Sequence, residues 1–127
     1  MAARLIAAVV GLFYLGTGVW AFFDPAGFAG SVATFSPFNR HLLHDAGAFS
    51  TGLGAVLLFS ASRPAGLANA LGAVLAASLL HLWAHIEDIR LGGRPSTDIP
   101  ILALVCVALV AAVVAASRRT TAMSSKP

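Results

Sequence analysis

Four blocks of this sequence run for about twenty residues with little or no charge, and that pattern leaves the chain few ways to fold. Residues 5–23 and 99–117 contain no Asp, Glu, Lys or Arg. Residues 41–62 begin polar and run uncharged from Ala46, and residues 65–89 keep their ionisable side chains for the end of the block. At 1.5 Å per helical residue, about twenty residues cross the roughly 30 Å hydrocarbon core of a bilayer. Backbone amides in hydrocarbon must find partners within the protein, which restricts spanning segments to helices and closed barrels. The apolar residues here are continuous and do not alternate, so the blocks predict helices. Composition agrees: 58% of the 127 residues are hydrophobic and 10% charged, against about 45–50% and about 25% in soluble domains. The expected fold is an all-α, integral-membrane four-helix bundle with both termini cytoplasmic.

Local signals place the ends of the spans. Residues 5–23 are longer than the roughly 7–15-residue core of a secretion signal, which favours a span. Asp24-Pro25 ends it. Asn39 is the expected N-cap of the second span, just after Pro37, and Asp98 of the fourth, with Pro100 in its first turn. The connection around residues 63–65 is very short, so spans two and three are expected to pack as an antiparallel hairpin. Residues 91–98 form a Gly/Pro/Ser turn. Residues 25–38 carry Phe28, Phe35 and Phe38 among small residues and predict an interfacial or re-entrant segment. Residues 118–127 are expected to be a polar, disordered cytoplasmic tail. Two small-residue ladders, Ala46-Ser50-Gly54 and Ala68-Gly72-Ala76, predict close helix approach.

Orientation rests on the basic residues. With four spans, Arg4, Arg63, Arg118, Arg119 and Lys126 share one side, against Arg40, Arg90 and Arg94 on the other. The richer side is expected to be cytoplasmic. Asp24, Asp45, Glu87, Asp88 and Asp98 then gather at the outer end, as do all four histidines, His41, His44, His81 and His85.

That outer end is the candidate site. On a helix, Ser78, His81, His85 and Asp88 share one face. His44 and Asp45 lie at a similar depth on the second span, so His44, Asp45, His81 and His85 are expected to converge. Three readings are open. In the plainest, these groups tie the helices together at the lipid–water boundary and snorkel to water, with Glu87, Asp88, Arg90 and Arg94 as a solvated rim. In the second, imidazole and carboxylate hold a transition metal; a His pair at i, i+4 is a good half-site, although the spacing lacks the Glu of a zincin helix. In the third, the cluster serves a proton relay, a quinone or a b-type haem with axial imidazoles from facing helices.

Other signals are narrower. Cys106 is the only cysteine, which excludes an intramolecular disulfide, and it is expected to pack as a small hydrophobe. The net charge of +3 is spread without a basic stripe, which gives no footprint for nucleic acid. Gly16-Thr17-Gly18 lies inside a span with no following Lys-Ser/Thr and is no phosphate loop. Trp20 and Trp83 are expected to be interfacial anchors.

Arg4, a first span with Gly11, Gly16 and Gly18, then Asp24-Pro25 and Gly27-Phe28-Ala29 together resemble the first span of the DoxX-like superfamily of small four-helix bacterial membrane proteins. Residues 39–48, Asn-Arg-His-Leu-Leu-His-Asp-Ala-Gly-Ala, are similar to the start of the second span in uncharacterised actinobacterial four-span families. The resemblance covers most of residues 4–90. It implies a multi-pass protein of the bacterial plasma membrane, and some DoxX-like members are subunits of quinone-linked redox or thiol-stress systems. The lone cysteine gives no pair for thiol chemistry. The leading functional reading is a non-enzymatic accessory or scaffolding component. Its expected contacts are the lipid bilayer and either a membrane-protein partner or a second copy of itself. The alternative is a metal-, haem- or quinone-linked redox protein using His44, Asp45, His81 and His85.

Overall fold

A computed structural model describes residues 1–63 and 65–124, which form five helices: α1 (Ala2–Phe23), α2 (Pro25–Ser31), α3 (Arg40–Ser62), α4 (Leu67–Glu87) and α5 (Pro95–Ser124). Among the described residues there is no strand, only one isolated bridge between Phe35 and Gly92. α1, α3, α4 and α5 are each long and apolar enough to cross a membrane. The short α2 lies between the first two spans. The topology therefore puts Asp24, Asp45, Asp98, Glu87, Asp88 and the four histidines at the same end of the bundle, the end that carries α2.

The helix starts follow their side chains. Asn39 Oδ1 accepts the Leu42 amide at 3.1 Å, as expected of an N-cap, and α3 begins at Arg40. Asp24 ends α1 and caps α2, its Oδ1 accepting the Gly27 amide at 3.0 Å, with Pro25 in the first helical position. The fourth span differs from expectation. Its helix begins at Pro95, and Asp98 lies in the first turn, where its carboxylate reaches back to the Arg94 amide at 2.7 Å. Pro95 can start a helix for the same reason that Pro100 was expected near one: the first turn leaves its amides unpaired. The tail expected after residue 117 instead continues α5 through Ser124, and its last three residues lie outside the described part.

Packing departs from the hairpin expectation. α3 and α4 are joined by a short turn in which Gly66 takes a left-handed φ of 85°. Even so, α3 packs chiefly on α1, and α4 chiefly on α5, with α1 also against α5. The reason is a glycine seam. Gly11 faces Gly54 and Gly18 faces Gly47, in antiparallel register. A Cβ at Gly54 would lie 2.7 Å from the Gly11 carbonyl, and one at Gly47 or Gly18 would lie 2.8 Å from the other's carbonyl. Each α-hydrogen therefore points at a facing carbonyl, the geometry of weak Cα–H···O contacts between helices. Lipid tails are as apolar as leucine, so close packing of this kind carries association in a bilayer.

The ladders consequently differ from those read along the chain. On α3 the face in use is Gly47, Gly54 and Leu57, all buried, whereas Ala46 is exposed and Ser50 half-buried. On α4 the buried face is Leu67, Leu71, Val74 and Ser78, and Gly72 has open space where a Cβ would stand. A core of these residues with Ala7, Val10, Tyr14, Leu109 and Ala112 fills the bundle. Cys106 packs in the interior of α5 with 5% of its surface exposed.

Candidate functional site

Drawing α3 onto α1 leaves a gap between α3 and α4 at the α2 end. The segment after α2 lies over this gap and forms with it a partly open cavity of about 690 Å³. Its walls are mostly apolar. Phe28 of α2 and Phe35 and Phe38 of the covering segment all line it. Ala46 and Ser50, the ladder residues that the seam leaves unused, form its α3 side.

The covering segment is pinned to the α4–α5 connection. The Arg94 guanidinium donates to the Ser31 carbonyl, and the Gly93 amide donates to the Thr34 carbonyl at 3.2 Å. Gly92 and Gly93 have φ of 135° and 77°, and a Cβ at Gly93 would meet the Phe35 ring at 2.9 Å. Both the backbone conformation and the close approach require glycine there. Phe35 in turn sets its edge against His85, with ring centroids 6.0 Å apart.

Polar groups reach the cavity from several helices, chiefly α1, α4 and α5. On α4, the Nε2 atoms of His81 and His85 are 3.2 Å apart and hydrogen-bonded. The other ring nitrogen of His85, Nδ1, faces Asp98 Oδ2 at 4.0 Å, and these two side chains keep only 19% and 12% of their surface exposed. Asp98 is held in turn by the Arg94 amide. The order is therefore Arg94 amide, Asp98, His85, His81, running from the loop into the cavity. On α1, Tyr14 Oη and Ser78 Oγ are hydrogen-bonded at 2.7 Å in the interior, and Ser78 also donates to the Val74 carbonyl at 2.7 Å. Among the described residues, no buried side-chain nitrogen or oxygen lacks a partner.

The four residues expected to converge divide into two groups. His81 and His85 meet and line the cavity. His44 instead stacks on Phe22 of α1, ring centroids 5.1 Å apart, and Asp45 pairs with His41 at 3.5 Å on an exposed surface. Neither His44 nor Asp45 lines the cavity. The cause is the glycine seam, which turns the start of α3 toward α1. Among the described residues, no three of His, Cys, Asp and Glu come together where they could hold one metal ion. Asp24 accepts the Trp20 indole N–H at 3.4 Å and caps α2.

Sequence reasoning gave Asp98 only a capping role and passed over Tyr14. Asp98 follows His85 by thirteen residues across a Gly-Gly-Arg-Pro turn, a tight reversal that returns the chain beside its own helix. Tyr14 is the only tyrosine in the chain and lies in an otherwise apolar span, so its hydroxyl needed a partner. Ser78, already on the face of His81, supplies it.

Fold and site together define the class: a helical protein with four helices long and apolar enough to cross a membrane, a partly open, largely apolar pocket and a His–His–Asp series on its wall. No family model, curated protein or solved structure matches the chain.

Proposed function

We propose that this protein is an accessory component of the bacterial plasma membrane, with both termini in the cytoplasm, that holds a lipophilic small molecule in the pocket under the α2 segment. The cavity carries this reading. Its volume of about 690 Å³ falls within the range of about 300–1,000 Å³ typical of small-ligand sites. Its few polar groups converge from α1, α4 and α5 among apolar walls, which is the usual plan of such sites. The basic residues support the orientation, and ionisable groups inside a span are functional candidates by default.

The test is to purify the protein into lipid nanodiscs and identify bound small molecules by native mass spectrometry. An Ala84→Trp variant, which fills the cavity from α4, should lose the bound molecule while keeping its helical circular dichroism. A protein that retains no small molecule and binds no lipophilic probe above empty nanodiscs would overturn the reading. For orientation, a Thr120→Cys variant in a Cys106→Ala background should react with membrane-impermeant reagents only after the cells are opened.

One distance favours a second reading. Two imidazoles on one tetrahedral zinc, at about 2.0–2.1 Å per bond, place their ligating nitrogens about 3.4 Å apart. The His81 and His85 Nε2 atoms, 3.2 Å apart, are close to that arrangement. A metal there would take its remaining ligands from outside this set of residues. Elemental analysis decides the matter: stoichiometric metal that disappears in His81→Ala/His85→Ala supports a metal site, and metal-free protein that still binds lipophiles removes it.

A further inference from the structure

Resting on the pocket reading above, the directions of the hydrogen bonds on its wall define what the pocket selects. A bond between two Nε2 atoms needs one ring to donate and the other to accept. His85 Nδ1 faces the Asp98 carboxylate at 4.0 Å, beyond hydrogen-bond reach, and the His85 tautomer with its proton on Nδ1 turns that proton toward the negative charge. In that tautomer His85 has only a lone pair at Nε2. With His85 in that tautomer, His81 donates from its own Nε2 across the 3.2 Å contact. Neutral His81 is left with a bare lone pair at Nδ1. Its only hydrogen bond among the described residues is the one to His85.

The hydroxyls of the α1 wall reach the same state. Ser78 gives its proton to the Val74 carbonyl, so Tyr14 must give its own to Ser78. Thr17 gives its proton to the Phe13 carbonyl at 2.8 Å. Tyr14, Thr17 and His81 all line the cavity, and the wall between α1 and α4 therefore presents acceptors and no donor. Side-chain N–H donors come from Arg94 and Asn39, both at the α2 end of the lining. The Ser50 hydroxyl of α3 and the Thr97 hydroxyl of α5 also line the cavity and can act in either sense.

We infer that the pocket selects uncharged lipophilic molecules bearing a hydroxyl group, with His81 Nδ1 accepting the hydroxyl proton in a hydrogen bond. A molecule of the same shape without an O–H leaves that acceptor unpaired on a mostly apolar wall. A site built to bond a hydroxyl discriminates strongly against the analogue that lacks it. His85 and Asp98 act through His81 by fixing which of its nitrogens carries the proton, so they are positioning residues.

The test uses 1-naphthol and 1-methoxynaphthalene, which share a ring system and differ in the O–H. Both are measured by equilibrium dialysis against the full chain in nanodiscs, with empty nanodiscs of the same lipid subtracted. Wild type should hold 1-naphthol about tenfold tighter than the methyl ether, the size of one buried hydrogen bond lost with its partner left unsatisfied. His81→Phe keeps a flat ring and removes the acceptor, and should bring the ratio close to one without weakening the ether. Should that variant fail to fold, the wild-type ratio alone decides. Equal binding of both probes that Ala84→Trp abolishes would overturn donor selection and leave the pocket standing. Binding of neither probe would overturn the pocket and, with it, this inference.

Discussion

The glycine seam makes the most demanding prediction. A Cβ placed at Gly54 would sit 2.5 Å from the Leu15 amide nitrogen, 2.7 Å from the Gly11 carbonyl oxygen and 2.8 Å from the Leu15 Cα. All three are backbone atoms, so no side chain can swing away. Ordinary van der Waals contact begins at 3.4 Å, so Gly54→Ala must move α1 and α3 apart by about 0.9 Å, the difference between 3.4 and 2.5 Å. Overpacking of this kind costs about 1–3 kcal/mol. The same substitution gains about 0.5–1 kcal/mol of helix propensity. Gly16→Ala, on α1, is the control: open space surrounds the Cβ it would add. The difference between the two variants cancels propensity and isolates separation of the helices, at about 1–3 kcal/mol. Unfolding in mild detergent, followed by far-ultraviolet circular dichroism during titration with a denaturing detergent, measures it. Gly54→Ala should unfold earlier than wild type or equal to it, and Gly16→Ala later. Equal midpoints for the two alanine variants would refute the seam as the contact that draws α3 onto α1.

Three further outcomes follow from the site. Ser78→Ala should destabilise the protein by about 1–3 kcal/mol, because it strands the buried Tyr14 hydroxyl; Tyr14→Phe should cost less, since Ser78 keeps its bond to Val74. The same unfolding assay on both single variants and the double variant checks this order, and a larger loss for Tyr14→Phe contradicts the assigned donor directions. Arg94→Ala removes the guanidinium bond to Ser31, and hydrogen exchange should accelerate at Val32–Phe35 while the amides of α1 keep their protection. Asp98→Ala removes both the partner of His85 and the acceptor of the Arg94 amide; it should lower stability by about 1 kcal/mol, as losing a helix-start side chain does, and weaken 1-naphthol binding more than binding of its methyl ether.

Local features of the chain were legible because they depend on neighbours in sequence. Asn39 caps α3 through the amide three residues on, and Asp24 stops one helix and starts another through Pro25. α5 begins a few residues earlier than the cap at Asp98 suggests, because two prolines and three residues of N-cap type, Ser96, Thr97 and Asp98, lie within residues 94–100, each chemically acceptable at a helix start. The ladders were misread for a different reason. Ala46-Ser50-Gly54 and Gly47-Gly54 are both runs of small residues, and adjacent positions on a helix differ by about 100°. In water the buried face announces itself by contrast with a polar one. In lipid both faces are apolar, and that contrast is missing. Phe49, Phe59, Leu80 and Trp83 are all well exposed in the bundle, yet in sequence they look no different from its core.

By itself, then, the sequence determined four hydrophobic spans, their helical form and the gathering of imidazoles and carboxylates at one end. These follow from span length, from the need to pair every backbone amide in hydrocarbon, and from the alternation of direction along the chain. Only the tertiary structure decided which of those groups meet. Glycines that allow two backbones to touch took α3 away from α4, sent His44 to Phe22, and opened the pocket that His81 and His85 line. The tight turn at residues 92–95 brought Asp98 back beside His85. Both outcomes depend on sub-ångström fit between distant segments, a quantity that composition and spacing do not carry.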